Sequence, residues 1–179
     1  MKTTQILIAG FGGQGILFSG KFLAYKGLLD GIQVSWLPSY GPEMRGGTAN
    51  CNVILSDTPV GSPIITVPDV LIAMNLPSLQ KYVDTVAPGG QIYIDSSLID
   101  AKVEREDVSV FYIPATQMAK DNGIGTLANM IIVGHLLENN PELSFDGISE
   151  VVEKLVPPKK AALKDLNMKA LALGKDYKN

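Results

Sequence analysis

Two groups of residues in this 179-residue chain have the types and spacing to do chemistry. The first is Gly10, Gly12 and Gly15, which match G-x-G-x-x-G, with Gly13 and Gln14 between them. An apolar run precedes the group and a helical pattern follows it. In that context glycines let the chain turn sharply and let backbone N–H groups face an anion at a helix N-terminus. A dinucleotide site also needs an acid about 20 residues on, at the tip of the second strand. That tip reads Trp36, Leu37, Pro38, Ser39, and Asp30 lies at the wrong end of the strand. No carboxylate is placed for a ribose hydroxyl, and no arginine for a 2′-phosphate. The loop alone therefore stands for an anion site, or for close packing of the first helix on the sheet, rather than for NAD.

The second group is "SYGPEMRGGTAN", residues 39–50. It connects two apolar runs yet holds Glu43, Arg45, Pro42 and three glycines. Pro42 fixes φ, while Gly41, Gly46 and Gly47 permit conformations that other residues avoid. The loop falls at the carboxyl edge of the sheet if strand two runs parallel to strand one, and ligands gather at that edge in open α/β folds. Arg45 either forks onto a carboxylate or phosphate, or pairs with Glu43 or a partner's acid and only fixes the loop.

The remaining candidates have plainer readings. His135, the only histidine, lies near the end of an apolar helix and reads as a capping or core residue. Cys51 opens "CNVIL" inside a strand and reads as a small buried hydrophobe. Asp95, Ser96, Ser97 and Asn75 end strands, where they touch a ligand or cap the next segment. Asn129 sits in an apolar helix and must find a partner, for which a carbonyl of this chain is the first choice. No carboxylate–histidine grouping suggests a metal.

The elements that must position these residues follow from periodicity. Apolar runs predict strands at 5–10, 31–38, 49–57, 69–75, 91–97 and 108–115. Helical patterns cover the stretch up to about 29, then 76–86, 126–140 with Thr126 as N-cap, and 144–156 with Ser144 as N-cap. A basic helical stretch closes the chain. In the first helix Ile16, Gly20, Leu23 and Gly27 share a face, and the two glycines predict close helix–sheet contact. The alternation indicates a single α/β unit over 1–179. It would be a three-layer, Rossmann-like, mostly parallel sheet with helices on both faces and a helical C-terminal part. The irregular stretch 39–69 leaves room for an antiparallel excursion.

Composition sets the outer limits. The chain is 46% hydrophobic and 18% charged, enough for a substantial core. It has no run of about eighteen apolar residues, which argues against a membrane span. The start shows no signal-peptide pattern. One cysteine excludes an internal disulfide framework and any all-cysteine iron–sulfur cluster built from this chain, and fits a reducing cytoplasm. A net charge of −3 gives no sign of nucleic-acid binding. The charge is uneven, however: residues 157–179 carry six lysines against Asp165 and Asp176. That basic stretch is either a solvated face or a docking element for an acidic neighbour.

Taken together, "AGFGGQGILFSGKFLA", "SYGPEMRGGTANCNVILSD" and "PDVLIAMN" resemble the gamma subunit, or gamma-type domain, of the 2-oxoacid:ferredoxin oxidoreductases. The similarity continues through "PGGQIYIDSSLI" and, more weakly, "ANMIIVGHLL" and "NMKALALG", and so covers nearly the whole chain. Within that family "SYGPEMRGG" looks more like the 2-oxoglutarate and 2-oxoisovalerate types than the pyruvate or indolepyruvate types.

The resemblance implies a complex that oxidatively decarboxylates a 2-oxoacid to an acyl-CoA and passes electrons to ferredoxin or flavodoxin. Thiamine diphosphate with Mg would belong to alpha and beta subunits, and iron–sulfur clusters to beta or a ferredoxin-like delta subunit. This chain would bind no cofactor alone and hold no catalytic residue. It would aid assembly and coenzyme A access. The implied CoA-contact or interface residues are Gly10, Gly12, Gly13, Gln14 and Gly15, and Tyr40, Gly41, Pro42, Glu43, Arg45, Gly46 and Gly47. Two other classes stay open at this point: a free-standing nucleotide-binding, NAD-type oxidoreductase, and a pure scaffold subunit.

Overall fold

A computed structural model describes residues 3–40 and 48–178. The chain runs β1 (Thr3–Phe11), α1 (Ile16–Leu29), β2 (Gln33–Tyr40), β3 (Thr48–Ser56), β4 (Val70–Ala73), α2 (Leu76–Tyr82), β5 (Gln91–Asp95), β6 (Ser109–Ile113), α3 (Ala115–Asp121), α4 (Ala128–Asn139), α5 (Ile148–Leu155) and α6 (Ala162–Asp176). A 3-10 turn over Val83–Thr85 follows α2, and another over Pro158–Lys160 precedes α6.

The strands form one six-stranded sheet in the order β2-β3-β1-β4-β5-β6. β1, β4, β5 and β6 pair in parallel. β3 is antiparallel to both of its neighbours, β1 and β2. So the excursion expected between 39 and 69 is β3, and β2 points the same way as β1 without touching it. The central strands are buried on both sides, as their continuous apolar runs require. Ile6 and Ile8 face the core shared with α1 and α3–α6, while Leu7 belongs to a smaller core with Leu79 of α2. Helices thus lie on both faces, but very unequally.

α1 lies flat on the sheet because glycines face it. A Cβ at Gly20 would stand 2.3 Å from Cys51 Sγ, and one at Gly27 would stand 2.7 Å from Leu55 Cδ2. α4 is apolar all round because it is covered all round: every residue from Ala128 to Leu137 is buried. α4 packs chiefly on α6 and also meets α3, α1 and β5.

Some expectations needed correction. Thr126 does not cap α4: the cap position is Leu127, with no side-chain cap bond. Ser144 does not cap α5 either. Its Oγ accepts from Asp146 N–H (3.4 Å) in a local turn, and the helix starts after Gly147 at φ 71°. The cap of α4 lies one residue beyond Thr126 and that of α5 three residues beyond Ser144, so neither hydroxyl occupies the cap position. The seven-residue α3 escaped the sequence reading. Among the described residues, three of the six C-terminal lysines have partners within the chain. Lys164 pairs with Glu153 (3.0 Å), Lys169 bonds Asn122 O (2.8 Å), and Lys175 lies over the Phe145 ring. Among the described residues no helix is long and apolar enough to cross a membrane.

Candidate functional site

The glycine loop leaves β1 at the carboxyl edge of the sheet. Gln14 N–H closes a turn onto Phe11 O (3.2 Å), and Gly13 sits at φ 97°. Gly15 is the N-cap of α1 at φ 76°, a conformation costly for any residue with a Cβ. The Gln14 side chain spans the loop: its Oε1 accepts from Phe11 N–H (2.7 Å), and its Nε2 donates to Met74 O (2.9 Å) at the end of β4. Both ends of that amide are thus occupied inside the protein, so Gln14 shapes the loop. Gly10 makes room for this arrangement, since a Cβ there would lie 2.6 Å from Gln14 Oε1.

A second brace comes from far along the chain. Asn129 of α4 donates from Nδ2 to Gly15 O (3.1 Å) and to Ser19 Oγ (2.9 Å). This meets the expectation of an intrachain carbonyl partner. A Cβ at Gly15 would sit 2.5 Å from Asn129 Nδ2, so the glycine is required by space as well as by φ.

What the loop presents is an uncapped helix start. Gly15 has no side chain, and the first helical bond runs from Ser19 N–H to Gly15 O (3.0 Å). Among the described residues, the N–H groups of Ile16, Leu17 and Phe18 therefore lack an intrachain acceptor. They border a cleft of about 310 Å³ lined by Phe11, Gly12, Gly13, Ile16, Phe18 and Ala49. The helix dipole adds a partial positive charge at this end. The combination suits an anion attached to an apolar or flat group.

The second motif closes on the same edge. Thr48 pairs with Phe11 and Tyr40 pairs with Ala49, so the loop between β2 and β3 ends beside the glycine loop and begins one strand further out. Gly41, Pro42, Glu43, Arg45, Gly46 and Gly47 themselves lie outside the described residues.

The topology weighs against a dinucleotide. β3 separates β1 from β2, so the tip of β2 lies two strand spacings, roughly 9–10 Å, from the glycine loop. Asp30 is at the far end of β2, ion-paired with the buried Lys26.

The other candidates are structural. Asp95 is fully buried and accepts from Thr116 Oγ1 (2.5 Å), Ser97 N–H (3.1 Å) and Thr116 N–H (3.3 Å). Asn75 caps α2 by accepting from Ser78 N–H (2.8 Å). His135 bonds Gly174 O through Nδ1 (3.0 Å) and stacks edge-on against Tyr93, Phe111 and Tyr177. Burial lowers its pKa, so it is held neutral. Burial pushes the Cys51 thiol up to about 12, which removes it as a nucleophile or metal ligand. No described group of three or more His, Cys, Asp or Glu residues could hold a metal.

The described residues thus form an α/β unit whose glycine loop presents unpaired N–H groups at a helix start, with no acid–base or nucleophilic cluster among them. The chain belongs to the pyruvate ferredoxin/flavodoxin oxidoreductase family, whose model matches residues 5–177. It is 36% identical over 180 residues to the ketoisovalerate oxidoreductase subunit VorA of Methanothermobacter marburgensis. That match takes in 98% of this chain but only 37% of VorA. The fold superposes with a TM-score of 0.83 on a keto/oxoacid ferredoxin oxidoreductase gamma subunit from Geobacter sulfurreducens, at 29% identity, covering 98% of this chain and 96% of that one. It superposes with a TM-score of 0.86 on a 2-oxoglutarate:ferredoxin oxidoreductase from Magnetococcus marinus with 2-oxoglutarate, coenzyme A and succinyl-CoA bound. That match is 28% identical and covers 98% of this chain and 31% of the other.

Proposed function

We propose that this chain is the gamma-type subunit of a cytoplasmic 2-oxoacid:ferredoxin oxidoreductase, and that its glycine loop helps to seat coenzyme A. The complex would convert a 2-oxoacid, with 2-oxoglutarate or 2-oxoisovalerate favoured, to its acyl-CoA, releasing CO2 and passing electrons to ferredoxin. The observation that carries this is the uncapped start of α1, opening onto an apolar-walled cleft that Ala49, at the β3 end of the second motif, also lines. Phosphates of coenzyme A suit the unpaired N–H groups, and Arg45 would add a forked charge. The Magnetococcus structure, with coenzyme A bound, supports the choice of ligand.

Thiamine diphosphate, Mg and the clusters belong on the alpha, beta and delta partners in this reading. With Cys51 as its one cysteine, this chain offers no all-cysteine cluster site. Gly13→Asp tests the reading: a Cβ at Gly13 meets nothing within 4 Å, and the strain that φ 97° imposes is shared by the Gly13→Asn control. In the purified complex it should raise the KM for coenzyme A at least tenfold, leave the KM for the 2-oxoacid within twofold, and exceed the effect of Gly13→Asn. Equal effects of Asp and Asn, or no effect on coenzyme A, would count against a phosphate at this loop.

A further inference from the structure

Among the described residues, no helix packs along the β2–β3 half of one sheet face. α1 and α3–α6 share a core on one side of the sheet. On the other side α2 packs on β1 and β4 and reaches β3 through Tyr82, whose Oη accepts from Asn50 Nδ2 (3.4 Å); otherwise, among the described residues, the connection 57–69 crosses β3. On this side Leu37 of β2 stands in one cross-strand row with Asn52 of β3 and Leu7 of β1. Asn52 Nδ2 bonds Pro63 O (3.4 Å), which brings the connection alongside that row. Leu37 is 37% exposed, and next to Pro63 Ile64 is 63% exposed. Phe11 at the carboxyl end of β1 and Leu76 at the start of α2 are also exposed.

The region that builds this face carries almost no charge. Residues 31–40 and 48–68 contain only Asp57 as a charged side chain, against 18% charged in the chain as a whole. A solvated surface is normally rich in Lys, Glu and Asp. Depletion of charge with exposed aliphatic and carboxamide groups marks the core of a protein interface, where buried charges would lose hydration without compensation.

We propose that this face, centred on Leu37, Asn52 and Ile64, is a permanent interface with a companion chain of the same oxidoreductase, one that presents an equally uncharged surface. The proposal rests on the gamma-subunit reading. VorA supplies the reason for choosing a companion chain over a second copy. There the matched region is 37% of a longer polypeptide, so this fold is covalently joined to a larger neighbour.

The test co-expresses tagged full-length chain with the other subunits of its complex and measures assembly by gel filtration and subunit titration. Leu37→Asp and Ile64→Asp place a charge on the face at exposed positions, so the free chain should keep its circular dichroism and melting temperature. Each should weaken assembly at least tenfold. Leu28→Asp, at a 57% exposed site on the helical side, should assemble like the wild type. Normal assembly of both face variants overturns the proposal, as does disruption by Leu28→Asp alone. So does a free chain that dimerises through Ile64 while the complex tolerates the charge, since the occupant is then a second copy. A wild-type chain that binds no companion at all overturns the gamma-subunit reading itself.

Discussion

Replacing Gly174 by alanine tests the packing of the C-terminal helix with a sign, not only a size. In an exposed helix the change is worth about 1 kcal/mol of stabilisation, because alanine is the better helix former. Here α4 and α6 cross so closely that a Cβ at Gly174 would lie 1.8 Å from Ile131 O and 2.8 Å from His135 N. Both are backbone atoms of α4 and cannot swing away. Ordinary contact begins near 3.4 Å, so the helices must part by roughly 1.6 Å. That loosens Ala170 and Leu171, both fully buried, and lengthens the His135–Gly174 bond. Overpacking costs typically about 1–3 kcal/mol, and more where backbone must move. A net loss of about 2–3 kcal/mol follows, or roughly 4–12 °C in melting temperature for a chain of this size. Urea unfolding of the free chain measures it. A Gly174→Ala variant more stable than the wild type would refute the close crossing.

Three further outcomes are expected. Asn129→Ala removes both bonds that brace Gly15 O and Ser19 Oγ. It should destabilise the chain by about 1–3 kcal/mol and, in the complex, raise the KM for coenzyme A more than that for the 2-oxoacid. The neutral, buried His135 has a pKa below the ordinary 6.5, chiefly through burial. The unfolded chain takes up this proton first as pH falls, so stability is lost as pH drops through about 6.5 and the loss levels off below the lowered folded value. A His135→Gln variant should lack that component when urea midpoints at pH 7.5 and 5.5 are compared, and an unchanged pH slope would speak against a neutral histidine. Cys51, with its thiol pushed up to about 12, should react with iodoacetamide at least a hundredfold more slowly in the native chain than in urea.

Much of the architecture was legible because it is written in local patterns. Six apolar runs marked six strands, and the glycines at 20 and 27 marked the sheet-facing side of α1. The antiparallel β3 was visible only as irregularity between 39 and 69, since strand direction depends on where the chain returns. Helix starts were misplaced at Thr126 and Ser144 because a hydroxyl ahead of an apolar run looks like a cap whether it stands at the cap position or one to three residues before it. In the site, the glycines announced the loop, but its braces did not. Gln14 reaches Met74 across 60 residues and Asn129 reaches Gly15 across 114. The one available signal was the presence of a polar residue in an otherwise apolar helix, which demands a partner without naming it. Gly134 and Gly174 belong to the same class, since their neighbours are another helix's carbonyls.

The measurement closest to the central claim uses the native complex, purified through a tag on this chain. Viologen reduction is followed with a panel of 2-oxoacids, with and without coenzyme A. The account predicts companion subunits that carry thiamine diphosphate and reduction that depends on coenzyme A, strongest with 2-oxoglutarate or 2-oxoisovalerate. A chain that comes through alone, or a complex indifferent to coenzyme A with every 2-oxoacid, would contradict it.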